Sequence, residues 1–171
     1  MTRIPPLAQP ERDDILAIVN AAAQAYRGVI PADRWHDPYM SRAELDRELA
    51  AGVRFSGYER DGTLLGVMGA QDVGDVELIR HAYVVPDAQR SGIGAALLQH
   101  LVSAATQPIL VGTWATADWA IRFYERHGFR LEPAQRTAEL LQRYWDIPDR
   151  QIETSVVLSR TGPGRSPAPR G

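Results

Sequence analysis

Two rhythms of apolar and polar positions alternate along the chain. Ile15, Ile18, Val19 and Ala22 recur at helical spacing behind acidic residues, and Gly28 follows, which predicts a first helix over 10–26. Ser41 with Glu44 is the signature of a capping box and opens a second helix, reaching residue 51. Strand patterns over 53–60 and 63–71 flank Asp61-Gly62, the turn chemistry of a hairpin, and 75–85 reads as a further strand. Ile93, Leu97, Leu98 and Leu101 share one face of a helix over 92–106, followed by a short apolar strand at 108–114. Another helix over 117–127 ends at Gly128, a left-handed cap, before a strand beginning at Phe129. A short helix is expected over 137–144 and a closing strand over 152–158, where Val156 and Val157 favour a sheet. Hairpins followed by strand–helix–strand units imply a mixed α/β sheet, and no internal repeat is visible.

The most informative stretch lies between a strand and a helix: Gln89-Arg90-Ser91-Gly92-Ile93-Gly94-Ala95. It offers no side chain for bond chemistry, but it clusters backbone N–H groups at the positive end of a helix. That is a site for a pyrophosphate. Glycine at 92 and 94 lets phosphates approach the main chain, where a Cβ would stand in the way. Two other nucleotide loops fit poorly. The chain has no lysine and therefore no G-x-x-x-x-G-K-[ST], and its G-x-G lacks the third glycine and the later acidic residue of a dinucleotide fingerprint. By itself such a turn also serves simply to pack a helix against a strand. A second segment changes the balance: Ala120, Tyr124, Gly128 and Phe129, spaced as A-x-x-x-Y-x-x-x-G-F.

This pair of segments resembles the GCN5-related N-acetyltransferase (GNAT) superfamily, whose pyrophosphate loop reads [QR]-x-x-G-x-[GA], here Gln89, Gly92 and Gly94. The resemblance extends over residues 1–160 as one domain. It implies an α+β fold with a mixed, mostly antiparallel central sheet flanked by helices on both faces. It also implies acetyl-CoA as cosubstrate, held by the backbone of Arg90, Ser91, Gly92, Ile93, Gly94 and Ala95, with Gln89 at the loop's start. The main chain of Ala82, Tyr83 and Val84 would pair with the pantetheine arm, and an N–H near Val84 would meet the developing oxyanion. Tyr124 is the choice for general acid toward the departing thiolate, because a phenol ordinarily ionises near pH 10. On spacing alone, a helical tyrosine between helix and sheet reads as a core residue. Phe123 and Phe129 are taken as core. The superfamily often carries an asparagine seven residues before this tyrosine, a position held here by Ala117.

Glu77, Arg80 and His81 lie on the strand leading into the loop. Alternation puts Glu77 and His81 on one face and Arg80 on the other unless a bulge intervenes. Glu77 and His81 are the candidates for general base, with Glu77 preferred by a narrow margin and solvent as a third route. Arg80 cannot be a base but suits an acceptor's carboxylate or phosphate. By resemblance the loop 28–40 borders the acceptor groove, and its Trp35, His36, Asp37 and Tyr39 offer aromatic walls with a titratable or anionic group. The alternative is a loop folding its own aromatics onto the domain.

Composition narrows the classes. At 171 residues, 44% hydrophobic and 23% charged, this is the make-up of one soluble globular domain. A net charge of −2 gives no electrostatic case for nucleic acid or an anionic membrane. With no cysteine there is no disulfide, no thiolate nucleophile and no cysteine metal site, so transfer through a ternary complex is expected. The four histidines show no metal spacing. No run approaches the ~18 apolar residues of a membrane span, and no signal-peptide core is seen, so a cytoplasmic location is expected. The Pro/Gly-rich residues 161–171 read as a disordered tail. The resemblance implies an acceptor that is a primary amine on a small molecule or a peptide N-terminus. The rivals are a catalytically silent CoA-binding sensor of the same fold and a protein-interaction module. A homodimer is compatible with the fold and is not legible in the sequence.

Overall fold

Local chemistry closes most of the elements where the pattern puts them. A computed structural model of the chain describes residues 1–8 and 11–162. Helix α1 spans Arg12–Ala23 and tightens into a 3₁₀ turn at Gln24–Tyr26, with Gly28 in the left-handed region at φ 77°. Pro10, the expected start, lies outside the described residues, as does the expected tail from 163 onward. Helix α2, Arg42–Ala50, opens with the capping box: the Glu44 N–H donates to Ser41 Oγ at 3.2 Å and the Ser41 N–H to Glu44 Oε2 at 2.6 Å. Asp61 and Gly62 both take positive φ, 51° and 80°, the demand of a two-residue hairpin turn. They join strands β3, Arg54–Arg60, and β4, Thr63–Val73.

Two short N-terminal strands escape the pattern, β1 at Thr2–Arg3 and β2 at Pro6–Leu7, both antiparallel to β3. At two residues each, they are too short for an alternation to register. The remaining elements are β5 (Val76–Val84), α3 (Ile93–Ala104), β6 (Ile109–Trp114), α4 (Asp118–Arg126), β7 (Arg130–Leu131), α5 (Ala134–Tyr144), α6 (Asp149–Glu153) and β8 (Ser155–Arg160). The closing strand therefore begins at Ser155, and Ile152 sits in a helix. Pro148 as N-cap and Asp149 in the first turn start that helix before the β-branched pair can extend the chain.

The chain forms two compact units. The first comprises Met1–Gln71 and Ile79–Ser103. In it β3 lies between the N-terminal strands and β4, and β4 pairs on to β5. Ile15, Ile18 and Val19 of α1 and Leu45 of α2 bury against Phe55 and Val67 on one face of this sheet. On the opposite face, a Cβ at Gly66 would stand 2.9 Å from Ile93 Cγ2 and 3.2 Å from Leu97 Cδ1. The missing side chain is what lets α3 lie against β4. The second unit, Asp72–Leu78 with Ala104–Gly171, holds the start of β5 and orders β6, β8 and β7. Val76, Leu78, Leu110 and Val157 form its core with Leu140 and Leu141 of α5. The β3–β4, β6–β8 and β7–β8 pairings are antiparallel.

Candidate active site

The first unit carries the anion loop. After β5, a 3₁₀ turn at Pro86–Ala88 leads to Arg90 and Gly92, whose φ values of 62° and 82° are both left-handed. Arg90 pays a steric penalty there that glycine does not. Left-handed backbone on either side of Ser91 is the kind of turn from which anion-binding nests of amides are built. The turn is tied internally: Ser91 Oγ donates to Ala88 O at 2.5 Å, and the Gln89 amide to Val84 O at 3.3 Å. Gln89 thus braces the loop against the end of β5. The Ala96 N–H bonds back to Gly92 O at 3.0 Å, so the amides of Ile93, Gly94 and Ala95 precede the ladder of α3. At Gly92 an added Cβ would meet nothing within 4 Å, so the glycine is required by its backbone angle alone.

The strand feeding this loop also faces two ways. The Val85 N–H bonds to Leu65 O on β4 at 2.9 Å. Successive amides alternate in direction, so the Val84 N–H points away from β4. Tyr83 on the same strand packs edge-on to Tyr26 at 6.5 Å, and Tyr26 stacks with Tyr39 at 6.0 Å. Trp35 and His36 lie 5.6 and 6.1 Å from the Tyr39 ring, and the Arg27 guanidinium sits 5.9 Å over Trp35. His36 Nδ1–H donates to Pro38 O at 2.7 Å, which leaves Nε2 3.9 Å from Glu44 Oε1. The three aromatic candidates from loop 28–40 therefore share one cluster, and it reaches the strand expected to receive the acyl arm.

His81 breaks the alternation. Its φ of 56° is left-handed within β5, and the consequence is that Arg80 and His81, consecutive in sequence, both reach Glu48 of α2. The expected separation of Arg80 from His81 onto opposite faces does not hold. Arg80 donates to Glu48 Oε1 at 3.0 Å and to Gln71 Oε1 at 3.1 Å. His81 Nε2–H donates to Glu48 Oε2 at 3.0 Å, and Phe55 stacks on the imidazole at 6.0 Å. Gln71 in turn donates to Ala51 O at 2.9 Å. Burial alone would raise the Glu48 carboxyl, but the His81 hydrogen bond and charge, with Arg80 and Arg47, outweigh it and hold it below the usual carboxylate range. Nothing in the sequence singles out Glu48, which lies 32 and 33 residues from its partners.

Glu77 belongs to the second unit and is buried, 8% exposed, with its N–H on Pro108 O at 2.9 Å. Tyr124 lies in the same unit, 5% exposed, and the motif around it is a helix cap. The Phe129 N–H bonds to Tyr124 O at 3.1 Å and the Gly128 N–H to Glu125 O at 3.2 Å, with Gly128 at φ 85°. This is the Schellman pattern, and the Tyr124 and Phe129 rings meet edge-on at 5.5 Å as its apolar contact. Much of the Y-x-x-x-G-F spacing thus has a backbone explanation. Phe129 is core as expected, whereas Phe123 is half-buried between Tyr124 and His127. Ala117, the residue before α4, is fully buried. Among the described residues no group of three or more His, Asp or Glu could hold a metal, and no helix is long and apolar enough to cross a membrane.

Residues 51–131, which include the anion loop and Tyr124, match the family model described as an acetyltransferase (GNAT) domain. The N-acetyltransferase PaiA from Thermoplasma acidophilum, solved with coenzyme A, superposes with a TM-score of 0.71 at 15% identity over 94% of this chain and 99% of that one. The ribosomal-protein-S18-alanine N-acetyltransferase of Escherichia coli gives 0.64 at 18% identity, covering 97% and 99%. N-acetylglutamate synthase from Neisseria gonorrhoeae, complexed with coenzyme A and L-arginine, gives 0.62 at 23% identity, over 95% of this chain and 33% of that one. By sequence, the UPF0157 protein YqkA of Bacillus subtilis is 32% identical over 108 residues, 61% of this chain but only 32% of that protein's length. The family match is confined to residues 51–131, and the superpositions extend the fold over the chain: an α+β architecture of the GNAT type with a mixed, mostly antiparallel sheet.

Proposed function

We propose that the chain is an N-acyltransferase that moves an acetyl group from acetyl-CoA to a primary amine, on a small molecule or a peptide N-terminus, within a ternary complex. The observation that carries this reading is the turn before α3, where left-handed Arg90 and Gly92 present amides ahead of a 12-residue helix. A pyrophosphate suits that turn in charge and in donor chemistry. Bound acetyl-CoA supplies an activated acyl carbon and a thiolate leaving group. The amides from Arg90 to Ala95 hold the pyrophosphate, and the main chain of Ala82, Tyr83 and Val84 aligns the pantetheine arm. The outward Val84 N–H donates to the oxyanion as charge develops. Tyr124, on the resemblance, returns a proton to the sulfur.

Of the two base candidates, His81 is the better supported. It is 17% exposed and is held by a carboxylate through one nitrogen only. The aromatic cluster of Trp35, His36 and Tyr39 receives the acceptor beside Tyr83. No cysteine exists to carry the acyl group, which favours direct transfer.

The test is thermal unfolding with and without acetyl-CoA. At about a hundredfold excess over Kd the ligand adds roughly 2.7 kcal/mol, several degrees at this size. A rise shared by CoA and absent with ATP or NAD supports the reading. Thiol release would then be followed with a peptide bearing N-terminal alanine, with glutamate and with an aliphatic diamine. No rise at millimolar ligand refutes it. A second reading is a CoA-binding domain without turnover. Its support is Ala117, whose methyl, 0% exposed, stands where the superfamily often has an amide side chain. Ligand-induced stabilisation with no thiol release for any amine would favour it.

A further inference from the structure

We propose that Glu48 is a positioning residue that fixes the tautomer of His81, so that Nδ1 is the atom that takes the proton from the acceptor amine. The inference rests on the acetyltransferase reading above, and it adds a residue on α2 to a site otherwise built from β5 and its loop.

Donor and acceptor chemistry places the ring proton. The Glu48 carboxylate is acceptor-only, so a 3.0 Å contact with His81 Nε2 requires that nitrogen to carry the hydrogen. In the neutral ring the lone pair is then on Nδ1, which has no hydrogen-bond partner among the described residues. Phe55 stacks on one face of the ring at 6.0 Å, and the hydrogen bond to Glu48 holds Nε2 on the carboxylate side. Left-handed backbone in a strand is costly for a β-carbon residue, and here it brings the imidazole to the carboxylate. The other oxygen of Glu48 is taken by Arg80, itself braced by Gln71 and through it by the carbonyl of Ala51 at the end of α2. The charged groups acting on the carboxylate are His81 and Arg80 from β5 and Arg47 from its own helix.

The proton step is simple. An ammonium N–H bond of the acceptor breaks, its electron pair stays on nitrogen, and the proton forms a new Nδ1–H bond. The imidazolium keeps its Nε2–H on Glu48, and Nδ1 later returns the proton to solvent.

Arg80 makes the proposal sharply testable. In a Glu48→Gln variant the side chain keeps its shape but holds one acceptor and one donor group. Arg80 can only donate, so it draws the new carbonyl oxygen, and the NH₂ is left facing His81. His81 Nε2 must then accept, which moves the ring proton to Nδ1 and blocks the base. Replacing Arg80 with Met as well frees the amide to turn round and restores the original tautomer.

The experiment uses the full chain labelled with ¹⁵N-histidine. Ring nitrogen shifts are read at alkaline pH, where imidazole is neutral, and folding is checked by unfolding midpoint. Thiol release from acetyl-CoA is measured with whichever of the alanine peptide, glutamate or diamine reacts fastest. The expected result is Nε2–H in the wild type and Nδ1–H in E48Q, with kcat reduced by about 10²-fold or more. In E48Q/R80M, Nε2–H returns and kcat exceeds that of E48Q. A merely structural Glu48 cannot produce a double variant better than the single. An E48Q protein that keeps Nε2–H overturns the proposal, as does a switched tautomer with unchanged kcat. If the wild type transfers to no amine, the acetyltransferase reading fails and with it the base role, while the ring shifts still decide whether Glu48 sets the tautomer.

Discussion

Replacing Gly92 with Ala isolates the backbone contribution to the anion site. The residue sits at φ 82°, and an added Cβ would have no neighbour within 4 Å, so the substitution introduces no clash. Its whole cost is conformational, about 1–2 kcal/mol for an L-residue held in the left-handed region. For a chain of 171 residues that corresponds to a fall of roughly 2–8 °C in the unfolding midpoint if the loop keeps its shape. If the loop relaxes to negative φ instead, stability recovers, but the amides from Arg90 to Ala95 no longer converge. The two outcomes are separable by measuring Tm with and without saturating CoA. The expected pattern is a loss in one column or the other: a lower apo midpoint with the ligand-induced rise retained, or a near-normal midpoint with the rise much reduced. A variant with both the wild-type midpoint and the wild-type CoA response would refute the claim that this backbone angle builds the site.

Other substitutions probe the remaining joints. Gly69→Ala places a Cβ 2.7 Å from Arg80 O and 2.9 Å from Val53 Cγ1, so β5 must shift beside His81; a loss of about 1–3 kcal/mol in denaturant unfolding is expected. Gly128→Ala, whose Cβ would meet the Arg160 guanidinium with Nε at 3.4 Å, loses about 1 kcal/mol through the Schellman cap, and Gly128→Asn loses less. Tyr124→Phe retains the ring contact with Phe129 and should leave CoA affinity intact while lowering turnover by about 10²-fold or more; unchanged turnover removes the phenol from the mechanism. The Glu48 carboxyl is lowered on folding, so its stabilisation is complete above the unfolded value of about 4.3 and is lost as pH falls through the folded one. Acid unfolding of E48Q should lack that segment of the pH dependence, and a superimposable curve would contradict the ion-pair assignment.

What the sequence determined by itself is whatever short-range chemistry decides. The Ser41–Glu44 capping box, the Asp61-Gly62 turn and the Gly128 cap each involve partners within a few residues, and each forms as its spacing requires. The anion loop is legible for the same reason, since its donors are backbone amides whose arrangement follows from Arg90, Gly92 and the start of α3. The family resemblance drew on these same segments. Tertiary structure decided the rest. Strand periodicity assigns Arg80 and His81 to opposite faces, and only the left-handed turn of the backbone at His81 sends both to one carboxylate. That carboxylate is on a helix more than thirty residues away, where Glu48 reads as one more polar position of α2. The aromatics of loop 28–40 likewise become a cluster only when Tyr26 and Tyr83 are brought beside Tyr39. Periodicity reports which face of an element is buried. It cannot report which side chains of two distant elements will meet, because that is fixed by packing and by a single backbone angle.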